Sequence, residues 1–362
     1  MGKIRLGLIG IGDMLSVKNA GRGRGLFIAS AKSFDNVEAT AICDINQEHF
    51  GVIKDSYPQV ECFTDYKQMF ETAGVNAVIV ATPANNHAEF TIAALKHDIN
   101  VLSEIPIVFN LDEVDALIAA EKASKAIFMT GSNANFAGRL RDLQEMHKNG
   151  MLGEPFYMEV SYMHDLRNWF AETPWRAKQE PIRYCTHSLG PLLTLFDEDL
   201  EYVSCFDTGG WMEKGKPNRH DVMTALFKTK SNRVIQLSTS FANNFKDSDC
   251  HRCVVHGTEG VFSWINNKVH FNSTRLPGAH RPVELHSRRM DRRYANNPRA
   301  IEGGHGGLDY VMLEAFFDSI ANSTESPISL KEGLRMSLPG IFAAESARNG
   351  GILTKIKYPW NK

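Results

Sequence analysis

The chain has 362 residues, enough for about two domains of the usual size, each with its own core. Forty Lys and Arg against 42 Asp and Glu leave a formal charge of −2, and 43% hydrophobic with 23% charged residues is a globular composition; nothing here calls for a nucleic-acid or membrane-surface partner. No apolar run is long enough to cross a bilayer, and the first ten residues turn glycine-rich before a signal-peptide core could form, so a cytoplasmic protein is expected.

Ile4-Arg5-Leu6-Gly7-Leu8-Ile9 is a short apolar strand ending at Gly10, and residues 38–43 form a second, followed by Asp44. Residues 76–82 and 100–103 complete a set of four, and 127–130 adds one more. Between them, 87–97 and 111–125 carry apolar residues at helical spacing. Strands alternating with helices read as βαβ units around a parallel sheet covered on both faces. After about residue 130 the texture changes. A helix at 140–148 is stopped by Asn149-Gly150, and strands follow at 156–162, 202–207, 222–228, 234–240, 253–256, 261–265 and 268–271. Such a succession predicts an α+β domain with a large open, mostly antiparallel sheet, closed by helices at 308–320 and 330–348. The expected division is 1–130 and 131–362, with the C-terminal helix free to pack back on the first domain.

Residues 272–302 read as a long excursion, and Arg288, Arg289, Arg292 and Arg293 within it as a solvated charge run rather than an anion site. Six cysteines make no disulfide framework. Cys250-His251-Arg252-Cys253, with His256 nearby, spells C-x-x-C, but no second ligand pair follows at zinc spacing. The segment reads as a strand, and no metal is expected.

Gly10-Ile11-Gly12-Asp13-Met14-Leu15 lies where the first strand meets the first helix. Gly10 and Gly12 fill two positions of G-x-G-x-x-G, those needed for a tight turn and for close approach to a pyrophosphate; Leu15 occupies the third. Asp44 ends the second strand 32 residues beyond Gly12, against the usual roughly 20. The surplus contains Gly21-Arg22-Gly23-Arg24-Gly25, which reads as a solvated loop. Asp44 either caps its strand or accepts hydrogen bonds from the ribose of a dinucleotide; the βαβ setting favours the second, and a carboxylate there selects NAD over NADP. The first domain is accordingly expected to be a Rossmann fold.

Ala81-Thr82-Pro83-Ala84-Asn85-Asn86-His87 and Ser103-Glu104-Ile105-Pro106 resemble two strand-end motifs of the Gfo/Idh/MocA family of nicotinamide-dependent sugar enzymes. The resemblance implies NAD as cofactor, held by Gly10, Gly12, Asp13, Met14, Asp44, Thr82, Pro83, His87, Glu104 and Pro106. It also implies a small carbohydrate or glycoside as substrate and homodimers or homotetramers. Most members carry Glu-Lys-Pro where this chain has Glu104-Ile105-Pro106, and isoleucine cannot take the substrate hydroxyl's proton as that lysine does.

Tyr162-Met163-His164-Asp165-Leu166-Arg167, Tyr184-Cys185-Thr186-His187-Ser188-Leu189-Gly190-Pro191 and Gly304-His305-Gly306-Gly307 resemble, in this order, segments of the family's NAD-dependent glycosidase branch, glycoside hydrolase family 109. That branch also lacks the lysine. Gly131-Ser132-Asn133 stands where the branch carries a glutamate of the catalytic region. The resemblance implies His187, Tyr162 and Tyr184 as catalytic groups. It implies His164, Asp165, Arg167, Trp175, Arg176 and His305 as substrate contacts. Some have a plainer reading: Tyr162 as a core or rim aromatic, His187 as a helix-start or packing residue, Asp165 as the partner of Arg167, and Gly303–Gly307 as a flexible loop.

Three functions follow. The leading one is glycoside cleavage through transient oxidation at sugar carbon 3, elimination, water addition and re-reduction, which needs no flanking carboxylate pair. The second is net NAD-dependent oxidation of a sugar or polyol. The third is a non-catalytic NAD- and sugar-binding regulator.

Overall fold

Six short apolar runs of the N-terminal part pair into one parallel sheet: β1 (Ile4–Ile9), β2 (Val37–Cys43), β3 (Glu61–Phe63), β4 (Ala77–Val80), β5 (Asn100–Glu104) and β6 (Phe128–Gly131). Their order is β3-β2-β1-β4-β5-β6, and every neighbouring pair is parallel. β4 is buried at all four positions, as an apolar strand covered on both faces must be. The order reverses between β1 and β4, and a doubly wound sheet binds its ligand at the carboxyl ends of the strands flanking that point. In this computed structural model the described residues are 2–12, 21–212, 214, 216, 219–244, 251–278, 282–285 and 290–361.

The chain divides into two units, Met1–Asn133 with Tyr294–Leu334, and Ala134–Arg293 with Arg335–Lys362. The first unit therefore takes back Tyr294–Leu334, rather than all of 131–362 forming the second. The reason is packing. Helix Leu308–Asn322 lies against helix Arg22–Ser33, Phe34 stacks on Tyr310 at 5.0 Å, and Phe317 meets Phe34 at 5.1 Å. Beyond that helix, Ser326 donates to the Phe128 carbonyl at 2.7 Å, and Thr130 N–H to the Ile328 carbonyl at 2.9 Å.

The second unit holds nine strands: β7 (Pro155–Met163), β8 (Leu200–Asp207), β9 (Met223–Thr229), β10 (Val234–Ser240), β11 (His251–Gly257), β12 (Gly260–Ile265), β13 (Lys268–Ser273), β14 (Val283–Leu285) and β15 (Thr354–Lys355). They run β14-β13-β12-β11-β7-β10-β9-β8-β15, antiparallel except for β7 beside β10. Asn266 and Asn267 both take left-handed backbone angles, φ 51° and 63°, the conformation of a two-residue hairpin between β12 and β13. Burial alternates along the strands. Met223, Ala225, Phe227 and Thr229 of β9 and Met158, Val160 and Tyr162 of β7 face inward. Against β7, β9 and β10 pack the turn Pro181–Tyr184 and the helix Thr186–Leu192.

Candidate active site

The glycine turn after β1 leaves no room for side chains. Gly10 has φ +89°, and a Cβ there would fall 2.8 Å from the Ala81 carbonyl and the Thr82 nitrogen. Gly12 has φ +94°, and its Cβ would lie 3.5 Å from the Cα of Gly21. Gly12 and Gly21 are thus neighbours in space across residues 13–20, and helix Arg22–Ser33 starts there. This corrects one expectation: Gly21–Gly25 is not a solvated loop but opens a helix, while Leu15 lies outside the described residues. Deleting 13–20 leaves Gly10-Ile11-Gly12-Gly21-Arg22-Gly23, a complete G-x-G-x-x-G, and brings the spacing to Asp44 near the usual roughly 20. Gly23 does what the third glycine must. A Cβ on it would run into the Gly10 carbonyl oxygen and come within 3.0 Å of Leu8 Cδ1 and Ala81 Cβ. Asp13 and Met14 lie outside the described residues.

Asp44 is tied to this turn. Its Oδ2 accepts the Ile11 N–H at 2.8 Å, its Oδ1 accepts the Asn46 N–H at 2.9 Å, and the His49 ring approaches Oδ1 at 3.2 Å. Thr82 and Pro83 follow β4. His87 is buried and spans the two strand ends, with Nδ1 2.9 Å from the Pro106 carbonyl and Nε2 2.8 Å from the Thr82 carbonyl. Burial lowers its pKa. His87 thus ties the segments that follow β4 and β5 to each other.

Sequence reasoning missed the charge cluster beside Glu104. Arg22 donates through Nε to Glu104 Oε1 at 2.8 Å and meets Asp309 Oδ1 at 2.7 Å. Asp309 also accepts from Asn133 Nδ2 at 2.9 Å, and its Oδ2 lies 2.8 Å from His305 Nδ1. Burial opposes the Arg22 charge, but Glu104 and then Asp309 hold its pKa above the ordinary value. Burial likewise opposes the Asp309 carboxylate, yet Arg22 and then His305 keep its pKa well below the usual range. The Gly303–Gly307 segment has a fixed shape for this purpose. His305, Gly306 and Gly307 are all left-handed at φ 55°, 68° and 93°, and a side chain on Gly304 would strike the Asp309 carboxylate. Ile105 is 3% exposed and offers no proton-transfer group.

In the second unit the expected catalytic residues do come together. Tyr162 is 6% exposed on β7, packed with Leu166, Phe241, Phe170 and Tyr184, and its hydroxyl lies 2.9 Å from His164 Nδ1. Tyr184 and His187, three residues apart across the helix start, have ring centroids 4.5 Å apart. Tyr162 lies 5.6 Å from Tyr184 and 5.2 Å from His187. The Arg176 guanidinium sits 4.7 Å over Trp175 and 5.9 Å over Tyr184, which brings both residues to the edge of this cluster. Asp165 and Arg167 hold each other in a two-pronged pair at 2.8 and 2.9 Å, and the Arg167 bond keeps the Asp165 pKa low. His305 belongs to the other unit and is fastened to Asp309.

The second unit adds one imidazole that the sequence hid. His251 opens β11 directly opposite Tyr162, so the two share a face of the sheet, with centroids 5.0 Å apart. Within the C-x-x-C it had looked like a metal-ligand candidate only. Cys250 lies outside the described residues, and burial pushes the Cys253 thiol up to about 12. Among the described residues no three His, Cys, Asp or Glu groups gather as a metal site. Arg288 and Arg289 also lie outside the described residues, whereas Arg293 pairs with Asp291 at 2.8 Å. No helix among the described residues is long and apolar enough to cross a membrane.

Residues 4–132 match the model of the oxidoreductase family's NAD-binding Rossmann fold (GFO_IDH_MocA), and residues 144–356 match that of the family's C-terminal alpha/beta domain. The chain belongs to the Gfo/Idh/MocA oxidoreductase family. As a family member it is an NAD-dependent enzyme, and the Gly10–Gly12–Gly23 cradle fits that coenzyme. Among curated relatives, the alpha-N-acetylgalactosaminidase of Shewanella oneidensis is 22% identical over 96% of this chain and 83% of its own. A glycosyl hydrolase family 109 protein of Shewanella pealeana is 23% identical over 96% and 84%. Among solved structures, levoglucosan dehydrogenase in complex with NADH and levoglucosan superposes with a TM-score of 0.80 at 17% identity, covering 98% of this chain and all of the other. UDP-N-acetylglucosamine 3-dehydrogenase of Acidithiobacillus ferrooxidans gives 0.74 at 17% identity, covering 96% and 99%. These likenesses are of fold.

Proposed function

We propose that this family member is a carbohydrate enzyme that cleaves a glycoside by transient oxidation of the sugar at carbon 3. The reading rests on one observation. Tyr162, His164, Tyr184 and His187 place several proton-transfer groups on one patch, in a chain whose Glu-x-Pro position holds the inert, buried Ile105. The glycosidase named among the relatives makes an N-acetylgalactosaminide the first substrate to try.

Gly10, Gly12 and the N-terminus of helix Arg22–Ser33 take the pyrophosphate, and Asp44 the ribose. Thr82, Pro83, Glu104 and Pro106 would border the nicotinamide, with His87 setting the two carbonyls. When bound, NAD supplies a reversible hydride acceptor for carbon 3. Tyr162 takes the proton of the carbon 3 hydroxyl as its own hydroxyl proton passes to His164 Nδ1. The resulting ketone acidifies the carbon 2 hydrogen, which lowers the demand on a base, and His187 removes it, since an imidazole ordinarily titrates near neutrality. Tyr184 packs on both groups and orients them. The aglycone leaves carbon 1, water adds there, carbon 2 regains a proton, and the carbon 3 ketone is reduced back to the hydroxyl as its proton returns through Tyr162. His164, Trp175 and Arg176 contact the sugar, while the Asp165–Arg167 pair braces the segment after β7.

The test is incubation with NAD and a panel of nitrophenyl glycosides. Aglycone release that requires NAD without accumulating NADH supports the proposal. Stoichiometric NADH would assign net dehydrogenation instead, and sugar binding with neither signal would leave a regulator.

A further inference from the structure

Elimination and water addition move more protons than His187 and Tyr162 can carry. The aglycone oxygen must be protonated as it leaves, and the incoming water must lose a proton at the same carbon. One group that is an acid in the first step and a base in the second suits this best, and an imidazole does so near neutral pH. A second imidazole stands beside the pair. His251 comes from β11, 5.0 Å from Tyr162 and 6.0 Å from His187 by ring centroids, whereas Tyr184 reaches the same pair from the turn Pro181–Tyr184. Past His251 the cluster continues into an aromatic plane. Trp264 of β12 lies 5.7 Å from His251 at an interplanar angle of 25°, and the Arg139 guanidinium sits 4.2 Å over its ring while donating to Asn267 Oδ1 at 2.7 Å. The half-buried indole, covered by Arg139 and stacked beside His251, thus holds that imidazole in place next to Tyr162.

Building on the proposed function, we propose that His251, braced by Trp264, is the acid–base group for the aglycone. The His251 imidazolium gives its proton to the glycosidic oxygen as the bond from carbon 1 to that oxygen breaks. The electron pair freed by removal of the carbon 2 proton becomes the carbon 1–carbon 2 double bond of the enone. On the return, the neutral imidazole takes a proton from water as the water oxygen bonds to carbon 1, and carbon 2 takes back a proton.

The experiment compares 4-nitrophenyl and methyl glycosides of one sugar, with the full chain and NAD. A nitrophenolate departs without help, whereas methoxide needs a proton. With His251→Gln, kcat/KM for the methyl glycoside should fall by about 100-fold or more and that for the nitrophenyl glycoside by less than about 10-fold, while NAD affinity from a fluorescence titration stays unchanged. His251→Phe, which preserves the ring packing, should show the same split and serves if the first variant folds poorly. Equal losses on both substrates would mark His251 as a packing residue and overturn the assignment, as would unchanged kinetics. If the wild-type chain releases neither aglycone, the proposed function has failed and this assignment falls with it. Wild-type turnover without the split defeats this assignment alone.

Discussion

Replacing Gly23 by alanine tests whether the fingerprint resumes after residues 13–20. The new methyl would collide with the Gly10 carbonyl oxygen and stand 3.0 Å from both Leu8 Cδ1 and Ala81 Cβ. None of these is the free end of a flexible side chain, so the helix must retreat from β1 by about 1 Å to restore ordinary contact. Overpacking of this kind costs about 1–3 kcal/mol, offset by up to about 1 kcal/mol from the better helix propensity of alanine. A net loss of about 1–2 kcal/mol, the middle of that range, lowers the midpoint of the first unit by about 2–8 °C. The same retreat moves the helix N-terminus away from the pyrophosphate, so NAD affinity should fall by about 10-fold or more. Gly25, two residues on in the same helix, is exposed with nothing within 4 Å of an added Cβ. Gly25→Ala should therefore be neutral or stabilising by up to about 1 kcal/mol and leave NAD binding intact. Thermal melts and fluorescence titrations of the two variants decide the matter. A Gly23→Ala protein that melts and binds NAD like the wild type would refute the assignment of Gly23 as the third glycine.

Three further outcomes follow from the geometry. Tyr162→Phe and His187→Ala should each abolish aglycone release while NAD affinity stays within about 2-fold, measured by steady-state kinetics beside a binding titration, because both residues sit in the unit that lacks the glycine turn. Asp309→Asn should cost roughly 2–3 kcal/mol at pH 7 in denaturant melts, less than a fully buried pair, because Arg22 is 27% exposed and keeps Glu104. With its folded pKa depressed, Asp309 contributes stability that is complete above the ordinary carboxylate range and is lost as the pH falls below it. The variant should thus flatten the acid limb of the stability curve, and an unchanged limb would count against the cluster. Burial holds the thiols of Cys43, Cys185, Cys205 and Cys253 at about 12, so at pH 8 they should react with iodoacetamide only after unfolding, as mass spectrometry can show.

The parallel sheet was legible because its strands are buried on both faces and so read as unbroken apolar runs, Ala77–Val80 most plainly. β3 escaped notice because three residues, Glu61–Phe63, are too few to carry a period. The glycine turn was found at Gly10 and Gly12, but the interruption by residues 13–20 hid Gly23, and only the closeness of Gly12 to Gly21 in space repairs the motif. That Tyr162, Tyr184 and His187 lie close together was legible because they sit in contiguous motifs. His251 was not, because cross-strand register decides its position opposite Tyr162 and no local pattern reports register. The link from Arg22 to Glu104 and Asp309 was equally hidden. It joins three distant segments, and Arg22 read as a loop residue until the helix start was known. The sequence reading also left the third and fourth helical segments with one body, whereas Phe34, Phe317 and Tyr310 bind Leu308–Asn322 to the first unit.

The central claim is that the glycosidic bond breaks by elimination from an oxidised sugar, with the carbon 2 hydrogen removed and later replaced. Turnover of an aryl glycoside in deuterium oxide, followed by proton NMR of the released sugar, tests it directly. The account expects deuterium at carbon 2, protium retained at carbon 3, and no net NADH. Release of the aglycone with the carbon 2 proton fully retained would show direct hydrolysis and contradict it.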